Sequence, residues 1–190
     1  NPLGGIELFG SLLHEDLEHD PDKRAHADKI LKEIRVLSNV VNDFLVFARK
    51  QEIAPSRVQL KDLLREVRDV LEADASSAKV SLEIDSNAKL SASVDRASIR
   101  AALINIVRNA IQASPSDATV KLEAFAKEDQ LCLQVSDSGD GIPKEKQAEI
   151  FTPFFTTKQK GTGLGLALVR KTINGHGGEI HYEDNQPKGA

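Results

Sequence analysis

The stretch Asn105-Ile106-Val107-Arg108-Asn109-Ala110 sets two asparagines four residues apart, and on a helix that spacing stacks them on one side. Carboxamide oxygens so placed suit a hard cation that keeps most of its waters while holding a phosphate chain, as magnesium does. A pair of asparagines capping neighbouring loops is the competing reading. The run Ser136-Asp137-Ser138-Gly139-Asp140-Gly141-Ile142-Pro143 follows an alternating apolar stretch. Its glycines let the backbone approach a flat ligand closely. A carboxylate at the end of a strand can accept a hydrogen bond from an exocyclic amine such as adenine's, and an ordinary Asp-Gly turn is the alternative. A calcium loop is excluded, because the alternating oxygen ligands and closing Glu of an EF-hand are not in place. Gly161-Thr162-Gly163-Leu164-Gly165-Leu166 then follows Lys158-Gln159-Lys160 and precedes a helical pattern. Glycines ahead of a helix present free N–H groups and the positive end of the dipole to an anion such as a phosphate chain. The spacing is neither the Walker A nor the Rossmann pattern. Lys158 is a candidate phosphate partner, with a solvated loop lysine as its alternative.

These residues need a scaffold, and the apolar periodicity supplies one in two parts. Leu3, Ile6, Phe9, Leu13 and Leu17 recur at helical spacing until His19-Asp20-Pro21-Asp22 interrupts them. Ala27, Ile30, Ile34, Leu37, Val41, Phe44 and Ala48 then step by three and four, a heptad seam of about three repeats. Val40, Leu45 and Phe47 add apolar surface beside it. One hairpin cannot bury all of this, so two hairpins are expected to pair as a four-helix bundle in a homodimer. Gln51 to Ser56, with Ala54-Pro55-Ser56, reads as a linker. The expected division is residues 1–52 as the hairpin and 56–190 as the second unit.

In the second unit the pattern predicts strands near Arg57–Leu60, Val80–Ile84, Ala92–Val94, Thr119–Phe125 and Leu131–Val135, with Glu179–Glu183 able to return as another. Helices are predicted over Asp62–Asp74, from Asp95 as N-cap to Ser114-Pro115, and over Leu164–Asn174. Ile99, Leu103, Ile106 and Ala110 are taken as the buried stripe of the middle helix. The fold class is α+β: a helical hairpin, then a mixed sheet backed by helices as an α/β sandwich.

With 25 basic against 29 acidic side chains, the chain carries no general attraction for nucleic acid. No apolar run approaches the roughly 20 residues of a spanning helix, and Asn1-Pro2-Leu3-Gly4-Gly5 does not open a signal peptide. A cytoplasmic location is expected. The single Cys132 rules out a disulfide within the chain, and in Leu131-Cys132-Leu133 it reads as a strand residue.

Taken in order, Asn-x-x-x-Asn-Ala, Asp-x-Gly-x-Gly, Phe151-Thr152-Pro153-Phe154-Phe155 and Gly-x-Gly-x-Gly resemble the N, G1, F and G2 boxes of the GHKL-type ATPases. That group joins sensor histidine kinases, ninety-kilodalton heat-shock chaperones, gyrase-type topoisomerases and mismatch-repair ATPases, and the resemblance runs from about Val58 to the end. Asn1-Pro2-Leu3-Gly4-Gly5-Ile6 resembles the residues after the phosphoacceptor of histidine kinases, whose usual run is His-Glu-x-x-Asn-Pro. Asn42-Asp43-Phe44-Leu45-Val46-Phe47-Ala48-Arg49 looks like the end of their second hairpin helix. By this resemblance the acceptor His lies ahead of Asn1 with three residues between them, and one further strand is expected beyond Ala190.

The resemblance implies ATP and Mg2+ as cofactors, with Asn109 on the metal, Asn105 supporting phosphate or metal and Asp137 on the adenine amine. Gly139 and Gly141 would shape the adenine side, Gly161, Thr162, Gly163, Leu164 and Gly165 would approach the phosphates, and Phe151, Phe154 and Phe155 would flank a lid, plain core packing being the alternative for each ring. Asn1 matches a position linked to dephosphorylation of the partner, and the implied partner is a response-regulator receiver domain. Gln112 stands where many members carry Lys, which shifts phosphate neutralisation to Lys158 or Lys160 and resembles nitrogen-regulation sensor kinases. The chaperone and topoisomerase branch carries Glu where this chain has Asn105, so no carboxylate is ready there to activate water. His14, His19 and His26 lack the acceptor context, and His176 and His181 show no metal spacing. A dimeric scaffold with a vestigial pocket remains the non-catalytic alternative.

Overall fold

The computed structural model describes residues 2–49, 52–158, 161–185 and Gly189. Two compact units form, one of Asn1–Arg49 with Thr156–Leu164 and one of Lys50–Phe155 with Gly165–Ala190.

The first unit is a helical hairpin of α1 (Pro2–Asp16) and α2 (Pro21–Ala48). The turn is set by Asp20, whose carboxylate accepts from the Lys23 N–H while Pro21 occupies the first helical position, where its missing donor costs nothing. The Lys23 side chain and backbone hold the Asp20 carboxyl below its ordinary pKa. Ala27, Leu31 and Ile34 are buried, a stripe at i, i+4 and i+7. Gly10 opens space opposite, since a Cβ there would lie 2.9 Å from Leu31 Cδ2. The predicted seam therefore divides. Ala27 and Ile34 turn into the hairpin together with Leu31, whereas Ile30, Leu37, Val41 and Phe44 remain exposed within this chain.

The second unit opens with β1 (Ser56–Gln59), paired antiparallel to β3 (Ser91–Val94) with Ser56 opposite Val94. Between them run α3 (Leu60–Ala78) and β2 (Ser81–Ser86); after them come α4 (Arg96–Ala113), β4 (Thr119–Lys127) and β5 (Gln130–Ser136). The larger sheet has the order β2-β4-β5, with β2 parallel to β4 and β4 antiparallel to β5. Helix α3 outruns its predicted span because Ala75 and Ala78 favour helix. It stops at Lys79, whose left-handed backbone (φ 56°) returns its N–H to the last turn. One short helix, α5 (Lys144–Gln147), was not foreseen, and α6 (Gly165–Gly175) follows.

The core lies between the larger sheet and helices α3 and α4. Leu63, Leu64, Val67 and Leu71 of α3, Val107 of α4 and Val120 and Leu122 of β4 are completely enclosed. On α4 the buried stripe is Ile99, Leu103, Val107 and Ala110, not the predicted Ile106, which is only half-buried. The helix packs against α6 as well as α3, so its apolar face is wider than one stripe. A second correction concerns Glu179–Glu183, which forms no strand. That segment is held by side chains: Tyr182 and Asn185 hydrogen-bond the loop after β5, and no ladder forms. No helix among the described residues is long and apolar enough to cross a membrane.

Candidate functional site

Asp95 starts α4 by accepting the Ser98 N–H on Oδ1 at 2.8 Å, the usual way a carboxylate satisfies an orphan donor of a first turn. Ten residues on, Asn105 is half-buried, as is Asn109 one turn further along. Gly165, the first residue of α6, lies beside Asn105, for a Cβ built on it would be 3.6 Å from Asn105 Oδ1. The N-terminus of an 11-residue helix, where first-turn N–H groups have no intrahelical partner and the dipole end is positive, thus meets α4 at Asn105.

The loop after β5 closes on the other end of α4. Asp137 is 7% exposed, and its Oδ1 accepts the Gly139 N–H at 2.8 Å. Gly139 presses on the last turn of α4, so that a Cβ would come within 2.7 Å of the Ala113 carbonyl oxygen. Only glycine fits there. Gly141 has φ +71°, a left-handed conformation that a side chain disfavours. Beyond it the Ile142 N–H donates to Tyr182 Oη at 2.9 Å, and Tyr182 donates to Asp184 Oδ1 at 2.8 Å. Burial is the main reason the Tyr182 phenol is pushed above its ordinary pKa. Asn185 Nδ2 donates to the Asp137 carbonyl at 2.8 Å, and Gly189 lies flat against that same carbonyl, where a Cβ would overlap it.

The second unit therefore brings together Asn105, Asn109, Asp137, Gly139, Gly141 and Gly165. Lys158, Gly161, Thr162, Gly163 and Leu164 belong instead to the unit built on the hairpin. There the Thr162 hydroxyl donates to Asp43 Oδ2 at 3.0 Å and accepts the Leu164 N–H at 3.3 Å. Gly163 is left-handed (φ +67°), and a Cβ on Gly161 would overlap Thr156 Oγ1. Desolvation lowers the Lys158 pKa. Asn1 and Lys160 lie outside the described residues. Of the three phenylalanines, Phe151 and Phe155 are half-buried, whereas Phe154 is 60% exposed at φ +68°, so core packing does not account for its ring.

Ala113, Tyr182, Asn185 and Gly189 escaped the sequence reading. They support the loop through a carbonyl, a hydroxyl, an amide and a missing side chain, none of which leaves a spacing signal. The one compositional mark among them is that Tyr182 is the single tyrosine of the chain. No group of three His, Cys, Asp or Glu side chains that could hold a metal occurs among the described residues. Asn105 and Asn109 offer carboxamide oxygens, a donor type open to a hard cation.

A family model described as "Histidine kinase-, DNA gyrase B-, and HSP90-like ATPase" matches residues 94–190. Over its whole length the chain is 33% identical to the signal transduction histidine-protein kinase AtoS of Escherichia coli strain K12, covering 31% of that protein. It is 33% identical to the sensor histidine kinase ZraS of Salmonella typhimurium, covering 41%, and 29% identical to sporulation kinase C of Bacillus subtilis, covering 44%. The chain spans less than half the length of these curated relatives. The catalytic domain of histidine kinase ThkA, nucleotide-free, matches 72% of this chain and 91% of its own at 34% identity and a TM-score of 0.67. Full-length ShkA in complex with AMPPNP matches 99% of this chain and 41% of its own, with 26% identity and a TM-score of 0.83. ThkA in complex with response regulator protein TrrA matches 100% of this chain and 55% of its own at 28% identity and a TM-score of 0.76.

Proposed function

We propose that this chain, which belongs to the histidine kinase-, DNA gyrase B- and HSP90-like ATPase family, is the catalytic core of a two-component sensor kinase that moves the γ-phosphoryl of ATP to a histidine and on to a response-regulator aspartate. Membership implies ATP binding in general; the assignment of residues is ours. The observation that carries it is the buried Asp137 carboxylate, held by the N–H of Gly139, which touches the end of α4, the helix whose Asn105 lies beside the first residue of α6. Asp137 is assigned to the adenine amine, with Gly139 and Gly141 beside the base. Asn109 is assigned to Mg2+ and Asn105 to phosphate or metal support. Gly161, Thr162, Gly163, Leu164 and Gly165 are assigned to the phosphates, with Lys158 as a neutralising cation.

Bound magnesium would supply charge neutralisation on the phosphates. What the protein supplies is positioning and fixed donors. Asn105 cannot act as a base toward water, which favours phosphoryl transfer over hydrolysis. A response regulator and a second copy of the chain are proposed as partners; the ThkA structure in complex with a response regulator supports the first, and the exposed stripe of α2 supports the second. Asn1 is proposed to serve dephosphorylation of the regulator.

Titration calorimetry with ATP and Mg2+ tests the site. Asn109→Ala and Asp137→Asn should each weaken binding about 10- to 100-fold, the equivalent of roughly 1.5–3 kcal/mol for a hydrogen bond to a charged group, and chelating the metal should act in the same direction. Unchanged affinity in both variants would remove the assignment.

A further inference from the structure

Asp95 is bonded on three sides, to the first turn of α4, to the segment ahead of β1 and to the residue just past α6. Its Oδ1 accepts the Ser98 N–H at 2.8 Å, capping α4. Its Oδ2 accepts the Ala54 N–H at 3.1 Å. Its own N–H donates to His176 Nε2 at 3.0 Å, while His176 Nδ1 donates to the Thr172 carbonyl at 2.8 Å. With the Asp95 N–H as donor and the Thr172 carbonyl as acceptor, Nε2 is the accepting ring nitrogen and Nδ1 the donating one.

Ala54 lies two residues ahead of β1, and β1 pairs with β3 from Ser56 opposite Val94. One residue past Val94 the chain turns into α4, so the ladder has no backbone acceptor left for Ala54. The Asp95 side chain takes that place. It extends the ladder by one bond into the linker that enters this unit.

The same residue also closes a circuit through the candidate site. Helix α4 runs about 15 Å from Asp95 to Asn105 at 1.5 Å per residue. Asn105 abuts Gly165, α6 runs back to Thr172 and His176, and His176 holds the Asp95 N–H. A shift of α4 against α6 on ligand binding must therefore be felt at Asp95, and from there at Ala54.

We infer that Asp95 is a positioning residue that clasps the linker to the helix bearing Asn105 and Asn109, so that docking of the linker and occupancy of the nucleotide site are thermodynamically coupled. The inference rests on the nucleotide-site reading above. Coupling of this kind is reciprocal: the factor by which ATP tightens the clasp is the factor by which the clasp tightens ATP.

Two substitutions break the clasp and spare the cap. Asp95→Asn has one oxygen for two N–H donors, and Ala54→Pro removes the donor while leaving both carboxylate oxygens in place. Asp95→Ala, which removes cap and clasp together, is the comparison for stability. The experiment measures amide exchange at Ala54 in the 190-residue chain with and without saturating ATP and Mg2+, together with ATP affinity and thermal midpoint for all variants. In the parent chain ATP should slow Ala54 exchange about fivefold or more, the lower end of usual coupling. In Asp95→Asn that response should vanish while ATP still binds. Both clasp variants should lose a similar factor in affinity, with midpoints above that of Asp95→Ala. ATP binding with Ala54 exchange unmoved and affinities unaltered overturns the inference alone. Affinity losses that only track the thermal midpoint make Asp95 structural, and overturn it too. Failure of the parent chain to bind ATP at all removes the nucleotide reading itself, and the inference with it.

Discussion

At the scale of single residues, the glycines of the loop after β5 do unequal work. Gly139 is fixed by contact, Gly141 by its backbone angle. Gly139→Ala would drive a methyl group into the Ala113 backbone, which cannot yield as a side-chain tip can. It should cost about 1–3 kcal/mol of stability, the usual penalty for overpacking, and weaken ATP binding as well, because the Gly139 N–H orients Asp137. Urea unfolding and calorimetry on one variant check both; an unshifted midpoint would show that the loop can lift off α4. Much of this was legible in the sequence. Asn105 and Asn109 stood out as polar positions on an apolar-striped helix, Asp137 with Gly139 and Gly141 as a turn directly after a strand, and Gly161, Gly163 and Gly165 as a run opening a helix. Tyr182, Asn185 and Gly189 were not legible, since their importance comes from meeting Ile142 and Asp137, 40 residues or more away in sequence, and only the folded chain creates that meeting.

Elements were legible where one local cause decides them. Asp95 is a cap that the sequence shows, and α4 starts beside it; the break at His19-Asp20-Pro21-Asp22 is as plain, and α2 starts there. Where tertiary packing decides, the reading failed: the stripe of α4 shifted to Val107 because the helix is packed on two sides, and Glu179–Glu183 gave up a ladder for side-chain bonds. The Asp95 cap carries a pH dependence. Its carboxyl is held below the ordinary value by the N–H groups of Ser98 first and Ala54 second, so the folded pKa is depressed. The associated stability is present above the unfolded pKa of about 3.9 and is lost as pH falls through the folded pKa. Asp95→Asn, neutral at every pH, should therefore be less stable than the parent near pH 6, and the gap should close below about pH 4. Urea midpoints across that range check the sign, and a gap that stays constant with pH would detach the cap from the carboxylate's charge.

For the whole molecule, the open question is what covers the second stripe of α2. Ile30, Leu37 and Phe44 stand seven residues apart with Val41 between the last two, and their exposures are 52%, 50%, 48% and 38%. This is the spacing of a coiled-coil seam, displaced on the same helix from the Ala27, Leu31 and Ile34 stripe that the hairpin uses internally. The heptad was visible in the sequence, but its division into an inner and an outer set was not, because both sets share one apolar band until α1 chooses its side. A second copy laid along the outer stripe would complete a four-helix bundle. The division also decides how to test the dimer. Asp at Ile34, only 8% exposed, would disrupt the hairpin itself and report on nothing else. Leu37→Asp leaves the inner stripe intact and buries an unpaired carboxylate only if the outer stripe is covered, a costly arrangement. Sedimentation velocity should find the parent chain dimeric and the Leu37→Asp chain monomeric at the same concentration, with helicity by circular dichroism preserved. A monomeric parent, or a variant that stays dimeric, would mean that the outer stripe is covered by something other than a second hairpin.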